Sequence, residues 1–149
     1  MLKFGTKNNW STSYNHNSMD KPLSQSVLVV DDEPMARNLL RLMLIREGFD
    51  VLEAVDGNDA LLVLDQHRPD LIVLDVMMPE LDGMTLCESL RSRVDLADLP
   101  IIMLSARTDA KSVEQGLASG ASRYLSKPIS ADILTSHVRD LLTMVVAPS

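Results

Sequence analysis

Five short apolar runs alternate along the chain with longer stretches of helical spacing, which predicts five strands and five helices. The runs are Val27 to Val30, Val51 to Val55, Leu71 to Val76, Ile101 to Leu104 and Tyr124-Leu125. Between them apolar side chains recur at helical intervals: Met35, Leu39, Leu42 and Met43; Leu61 and Leu64; Leu86 and Leu90; Val113 and Leu117. A last helix carries Leu134, Val138, Leu141, Leu142 and Val145. Pro34 suits a first helical turn, Gly48 and Gly120 suit helix ends, and Ser130 can cap the final helix. Strands rich in Val, Ile and Leu and joined through helices predict an α/β fold, a parallel sheet covered on both faces with right-handed crossovers.

Residues 1–25 break this pattern. They are rich in Asn, Ser and Thr and lack apolar periodicity, so they read as a flexible N-terminal extension that buries too little surface to offset its ordering entropy. Trp10 and His16 fall there and receive no role. The chain then divides into that extension, one domain over 26–146 and a tail at 147–149. At 149 residues and 46% hydrophobic, it has material for one core and not for two.

Charge and cysteine usage narrow the function. The net charge is −7, and residues 1–25 carry three Lys and one Asp, so residues 26–149 carry −9. A phosphate backbone rewards clustered Lys and Arg, so this acidic body predicts no direct nucleic-acid contact. A lone Cys87 excludes an internal disulfide and suits a reducing compartment. There is no apolar run of membrane-spanning length and no secretory h-region, so a cytoplasmic protein without membrane insertion is expected.

In a parallel sheet of this kind ligands bind beyond the carboxyl ends of the strands. Asp31 and Asp32 follow the first run, Asp75 ends the third, Ser105 the fourth, and Lys127 the fifth, just before Pro128. Taken singly, Asp31-Asp32 could cap a helix and Asp75 or Ser105 could end a strand in a turn. Together they predict a site. Three carboxylates at one edge raise one another's pKa unless a cation sits among them, and Mg2+ (or Mn2+) suits oxygen ligands with room left for a phosphoryl group. The backbone carbonyl of Met77 could complete the ligand set. Asp75 is then the nucleophile toward phosphorus, Lys127 a point charge and Ser105 a hydroxyl donor on the transferred oxygens.

These residues resemble the receiver domains of two-component response regulators, over about residues 26–146. The likeness rests on Val29-Val30-Asp31-Asp32-Glu33-Pro34, on Leu74-Asp75-Val76-Met77-Met78-Pro79 with Asp82-Gly83, on Ser105-Ala106, and on Tyr124 three residues before Lys127-Pro128. The resemblance implies a flavodoxin-like doubly wound (βα)5 sheet of strand order 2-1-3-4-5, the order named for a member of this family among general doubly wound folds. It implies Asp75 as phosphoacceptor, Asp31 and Asp32 as the acid pair for Mg2+, Ser105 as switch hydroxyl, Tyr124 as an aromatic that turns inward on activation, and a cis peptide before Pro128. Arg107 and Met77 would flank the phosphoryl group. The donor would be a phosphohistidine on a sensor histidine kinase or histidine phosphotransfer protein. The output would be the fourth helix, fifth strand and fifth helix, roughly residues 109–146, binding a downstream protein as a monomer or a phosphorylation-dependent dimer. Such a protein is a signalling module rather than an enzyme.

Three residues after the last helix also suggest a stand-alone, chemotaxis-regulator-like form, or a phosphorelay intermediate that hands its group to a histidine phosphotransfer protein. An FMN-binding electron carrier fits less well, because Asp31-Asp32-Glu33 repels phosphate and aromatics are 3% of the chain. An aspartate-based phosphatase would favour an acid at position 77, where this chain has Met77.

Overall fold

Each apolar run forms a strand and each helical stretch a helix in the computed structural model, which describes residues 24–78 and 81–146. The order is β1 (Ser26–Val30), α1 (Pro34–Arg46), β2 (Asp50–Ala54), α2 (Gly57–Gln66), β3 (Leu71–Asp75), α3 (Gly83–Arg91), a 3₁₀ turn (Val94–Leu96), β4 (Ile101–Ser105), α4 (Ala110–Ala118), β5 (Arg123–Ser126) and α5 (Ala131–Val146). Residues 1–23 of the expected extension, Pro79 and Glu80, the tail at 147–149 and the side chain of Val145 lie outside the described residues.

The strands are all parallel, in the order β2-β1-β3-β4-β5. With β3 in the middle and helices on both sides, all five of its residues are buried, as a continuous apolar run requires. Successive side chains alternate between two cores. Leu28, Val30, Ile72, Leu74 and Met103 pack against Leu64 of α2 and Leu86 and Leu90 of α3. Val27, Val29, Val73 and Ile102 pack against Leu40 and Leu44 of α1 and Leu134 and Val138 of α5.

Local signals end the helices as expected. Pro34 opens α1, Gly48 and Gly120 follow α1 and α4 at φ of 95° and 116°, and Ser130 Oγ accepts from the Ile133 amide at 3.2 Å. Asp56, Asp82 and Asp109 cap α2, α3 and α4, each accepting from the amide three residues on.

Two helical faces differ from expectation. Met35, Leu39 and Leu42 of α1 are exposed (80, 55 and 48%), while Leu40 and Leu44 are buried. This helix is apolar almost all round, so spacing alone selects no face. In α4 the half-buried Val113 and exposed Leu117 yield the inner face to Ser112, Gly116 and Ser119.

Candidate functional site

The pairing of Val30 with Leu74 in the β1–β3 register delivers Asp31 and Asp75 to the same rim. One carboxylate oxygen from each of Asp31, Asp32 and Asp75 lies within 4.8 Å of the others. Asp31 and Asp75 are buried and Asp32 is exposed. The loop after β1 is pinned from both sides. Arg37 of α1 donates to the Asp31 carbonyl at 2.9 Å and pairs with Glu53 at 3.0 Å, and the Glu33 amide donates to Asp31 Oδ1 at 2.9 Å. Opposite, α3 starts hard against β3. The Gly83 amide donates to the Val76 carbonyl at 3.1 Å, and a Cβ at 83 would stand 2.7 Å from the Asp75 carbonyl oxygen. Only glycine allows that approach.

Lys127 closes the cluster, with Nζ 3.2 Å from Asp31 Oδ2 and 3.4 Å from Asp75 Oδ1. Its amide donates to the Ser105 carbonyl at 2.9 Å, and its peptide to Pro128 is cis, as the resemblance implied. The Met77 amide reaches Asp75 Oδ1 at 3.3 Å, which sets the Met77 main chain beside the cluster while its side chain is exposed. Among the described residues, both donors to Asp75 fall on Oδ1.

Burial raises the Asp75 pKa. Lys127 opposes that rise and the charge of Asp31 adds to it. For Lys127, burial works against the charged form, but the carboxylates of Asp75 and then Asp31 outweigh it and hold the ammonium above the ordinary lysine range. One ammonium facing three carboxylates leaves the cluster under-neutralised. An all-oxygen donor set with excess negative charge fits a hard divalent cation.

Ser105 and Tyr124 meet through one residue that the sequence reading had placed only beside the phosphoryl group. The buried Ser105 Oγ accepts from the Arg107 amide at 3.0 Å, and the Tyr124 hydroxyl donates to the Arg107 carbonyl at 2.7 Å. The Tyr124 ring rests on Met103, its partner in the β4–β5 register, and on Gly116 of α4. A cavity of about 500 Å³ beside the cluster is lined by Met77, Met84, Arg107, Gln115 and Tyr124 among others, so Met77 and Arg107 face a common space. His137 lies apart from the site, its Nδ1 2.8 Å from Arg123, which also pairs with Asp140 at 2.9 Å.

Arg37 and Gly116 escape the sequence reading. Arg37 acts through a main-chain carbonyl and leaves no motif. Gly116 does leave a trace, because a glycine inside a helix costs about 1 kcal/mol relative to alanine and so calls for a reason.

The sequence profile described as "Response regulator receiver domain" matches residues 27–139. The chain belongs to this family, the receiver domains of two-component response regulators. It is 40% identical over 116 residues to the "DNA-binding dual master transcriptional regulator RpaA" of Synechocystis, covering 78% of this chain and 48% of that protein. It is 46% identical over 116 residues to the "Response regulator MprA" of Mycolicibacterium vanbaalenii, covering 78% and 49%. Among solved structures, the receiver domain of a signal transduction histidine kinase from Syntrophus aciditrophicus superposes with a TM-score of 0.79 at 35% identity, over 85% of this chain and 96% of that one.

The chain thus spans about half the length of the curated relatives it matches. One expectation is corrected by these relatives. The exclusion of nucleic acid does not stand, because two relatives of this chain are named as transcriptional regulators, the "Transcriptional regulatory protein AfsQ1" of Streptomyces coelicolor and the Synechocystis protein, and the latter is named as DNA-binding. Among the described residues, no helix is long and apolar enough to cross a membrane.

Proposed function

We propose that Asp75 accepts a phosphoryl group from a phosphohistidine and that Ser105 and Tyr124 convert its arrival into a changed α4-β5-α5 surface. The observation that supports this reading most is the convergence of Asp31, Asp32, Asp75 and Lys127 at one rim, with both protein donors to Asp75 on Oδ1. The second carboxylate oxygen bonds to phosphorus as the P–N bond breaks, and the imidazole leaves with the electron pair and takes up a proton. Lys127 stays paired with the cluster and offers its charge to one phosphoryl oxygen. The Ser105 hydroxyl turns from its contact with the Arg107 amide to donate to another. Attack by water on phosphorus later restores the carboxylate and releases phosphate.

Mg2+ would be held by Asp31, Asp32, Asp75 and the Met77 carbonyl. When bound, it neutralises carboxylate and phosphoryl charge. Such chemistry belongs in the cytoplasm, with a sensor histidine kinase or histidine phosphotransfer protein as donor. By likeness to the DNA-binding regulator of Synechocystis, nucleic acid stands among the partners of the whole protein, under control of this receiver.

Intact-mass measurement after incubation with acetyl phosphate tests the reading. One added phosphoryl group is expected on the wild type with Mg2+, and none without the metal or on Asp75→Asn. Labelling of Asp75→Asn, or labelling of the wild type that ignores Mg2+, overturns it.

A further inference from the structure

The inner face of α4 has no large side chain to give the sheet: its buried positions are Ser112 and Gly116, followed by Ser119 just beyond the helix. The Tyr124 ring fills the space. A Cβ at position 116 would stand 2.5 Å from Tyr124 Cδ2, 2.7 Å from Cε2 and 3.1 Å from Met103 Sδ. Packed carbon atoms do not approach so closely, so a side chain there forces something to move.

The helix is the harder part to move. The Gly116 carbonyl accepts from Ser119 Oγ at 2.7 Å and from the Ala121 amide at 3.3 Å, which ties this turn to the segment leading into β5. Met103 is fully buried on β4. Tyr124 is half-buried, and among the described residues its hydroxyl is held by one hydrogen bond, to the Arg107 carbonyl, which rotation about the Cα–Cβ bond breaks.

We propose that Gly116 is a positioning residue of the switch: its missing side chain is the seat of the Tyr124 ring and sets the balance between docked and undocked tyrosine. The seat matters because the Arg107 main chain receives Tyr124 on its carbonyl and gives its amide to Ser105. A shift of the Ser105 hydroxyl and a shift of the tyrosine therefore act on the same peptide segment. A methyl group at 116 biases the tyrosine outward before any phosphoryl group arrives and so uncouples the two. This consequence rests on the reading of Asp75 as acceptor; the seat itself does not.

Alanine is normally the better residue in a helix interior, which supplies a sign test. With Tyr124→Ala in the background, Gly116→Ala raises the melting temperature; with Tyr124 present, the same substitution lowers it. Equal increases in both backgrounds overturn the seat. A second measurement does not depend on the Tyr124→Ala variant folding. Labelling with 3-fluorotyrosine in a Tyr14→Phe background leaves one fluorine resonance, since Tyr14 is the chain's other tyrosine. Gly116→Ala moves that resonance to the position of a solvent-exposed fluorotyrosine, and an unmoved resonance overturns the proposal.

Acetyl phosphate with Mg2+ then shifts the resonance when Gly116 is present and leaves it unmoved in Gly116→Ala. Equal shifts in both overturn the coupling. Failure of the protein to take up a phosphoryl group at Asp75 sinks the proposed function instead, and leaves the two measurements on unphosphorylated protein to decide the seat.

Discussion

Asp75 sits at 7% exposure between the ammonium of Lys127 and the carboxylate of Asp31, and the balance of burial and charge raises its pKa above 3.8. A raised folded-state value means the folded protein holds that proton more tightly than the unfolded chain does. Stability contributed by this group is therefore lost as pH rises from about the unfolded value through the folded one, and the full penalty persists at neutral pH. The loss of attraction to Lys127 is already counted in that balance, so Asp75→Asn should make the metal-free protein more stable at pH 7. The gain shrinks to nothing well below the ordinary carboxylate range, as read from urea unfolding across pH. Saturating Mg2+ reverses the order, because a ligand at a hundred times its Kd adds about 2.7 kcal/mol to the protein that binds it. A wild type more stable than Asp75→Asn without metal would contradict this account. Asp31 and Asp75 are legible in the sequence because each is the polar residue at which an apolar run stops, and Lys127 because it follows the last run just before Pro128. Arg37 is not, because it is defined by a carbonyl it reaches across the fold, and Gly116 shows only as a costly helical glycine whose reason, the ring packed on it, the sequence does not reveal.

At the scale of elements, strands are read more reliably than helix faces. A strand buried on both sides needs only apolar character, and β1, β3 and β4 have it in every residue but one at an end, Ser26, Asp75 and Ser105. A helix needs the correct stripe, and α1 offers apolar residues on several sides while α4 offers almost none. Where α4 lacks apolar anchors, polar contacts hold its surroundings. Arg91, in the last turn of α3, donates from Nε to the Gly120 carbonyl at 2.9 Å and from one terminal nitrogen to the carbonyls of Ala97 and Leu99 at 3.0 and 2.6 Å. It joins the end of α3, the segment before β4 and the turn after α4. A lysine ammonium cannot span this set in the same way, since it lacks the planar fork. Arg91→Ala should cost about 2 kcal/mol in urea unfolding, the scale of charged hydrogen bonds left without a donor. Arg91→Lys should recover less than half of that. Phosphorylation by acetyl phosphate should proceed in both variants, since neither change touches the rim; unchanged stability in Arg91→Ala would show that the clamp is ornamental.

Seen as a whole, the molecule presents two different flanks to its acidic rim. On one side lies the cavity bordered by Met77, Arg107 and Tyr124, which communicates with α4. On the other, a groove of about 330 Å³ runs between α1 and the segment that joins β5 to α5, lined by Glu33, Leu39, Met43, Lys127, Pro128 and Ile129. The exposed Met35, Leu39 and Leu42 continue this apolar surface along α1. On the proposed function, a protein donor would have to bring its phosphohistidine within bonding distance of Asp75, so its own surface would cover part of the rim. The α1 flank offers the apolar area for that contact and leaves the switch flank free to move. Leu39→Glu combined with Leu42→Glu should therefore slow phosphoryl transfer from a phosphohistidine protein at least tenfold, about 1.4 kcal/mol of lost transition-state stabilisation. Because both positions are about half exposed, the fold should tolerate the change, and labelling by acetyl phosphate should keep its rate within about twofold. Equal slowing with both donors would place the damage in the site rather than the surface, and an unaffected protein donor would mean that it approaches Asp75 from the flank of α4.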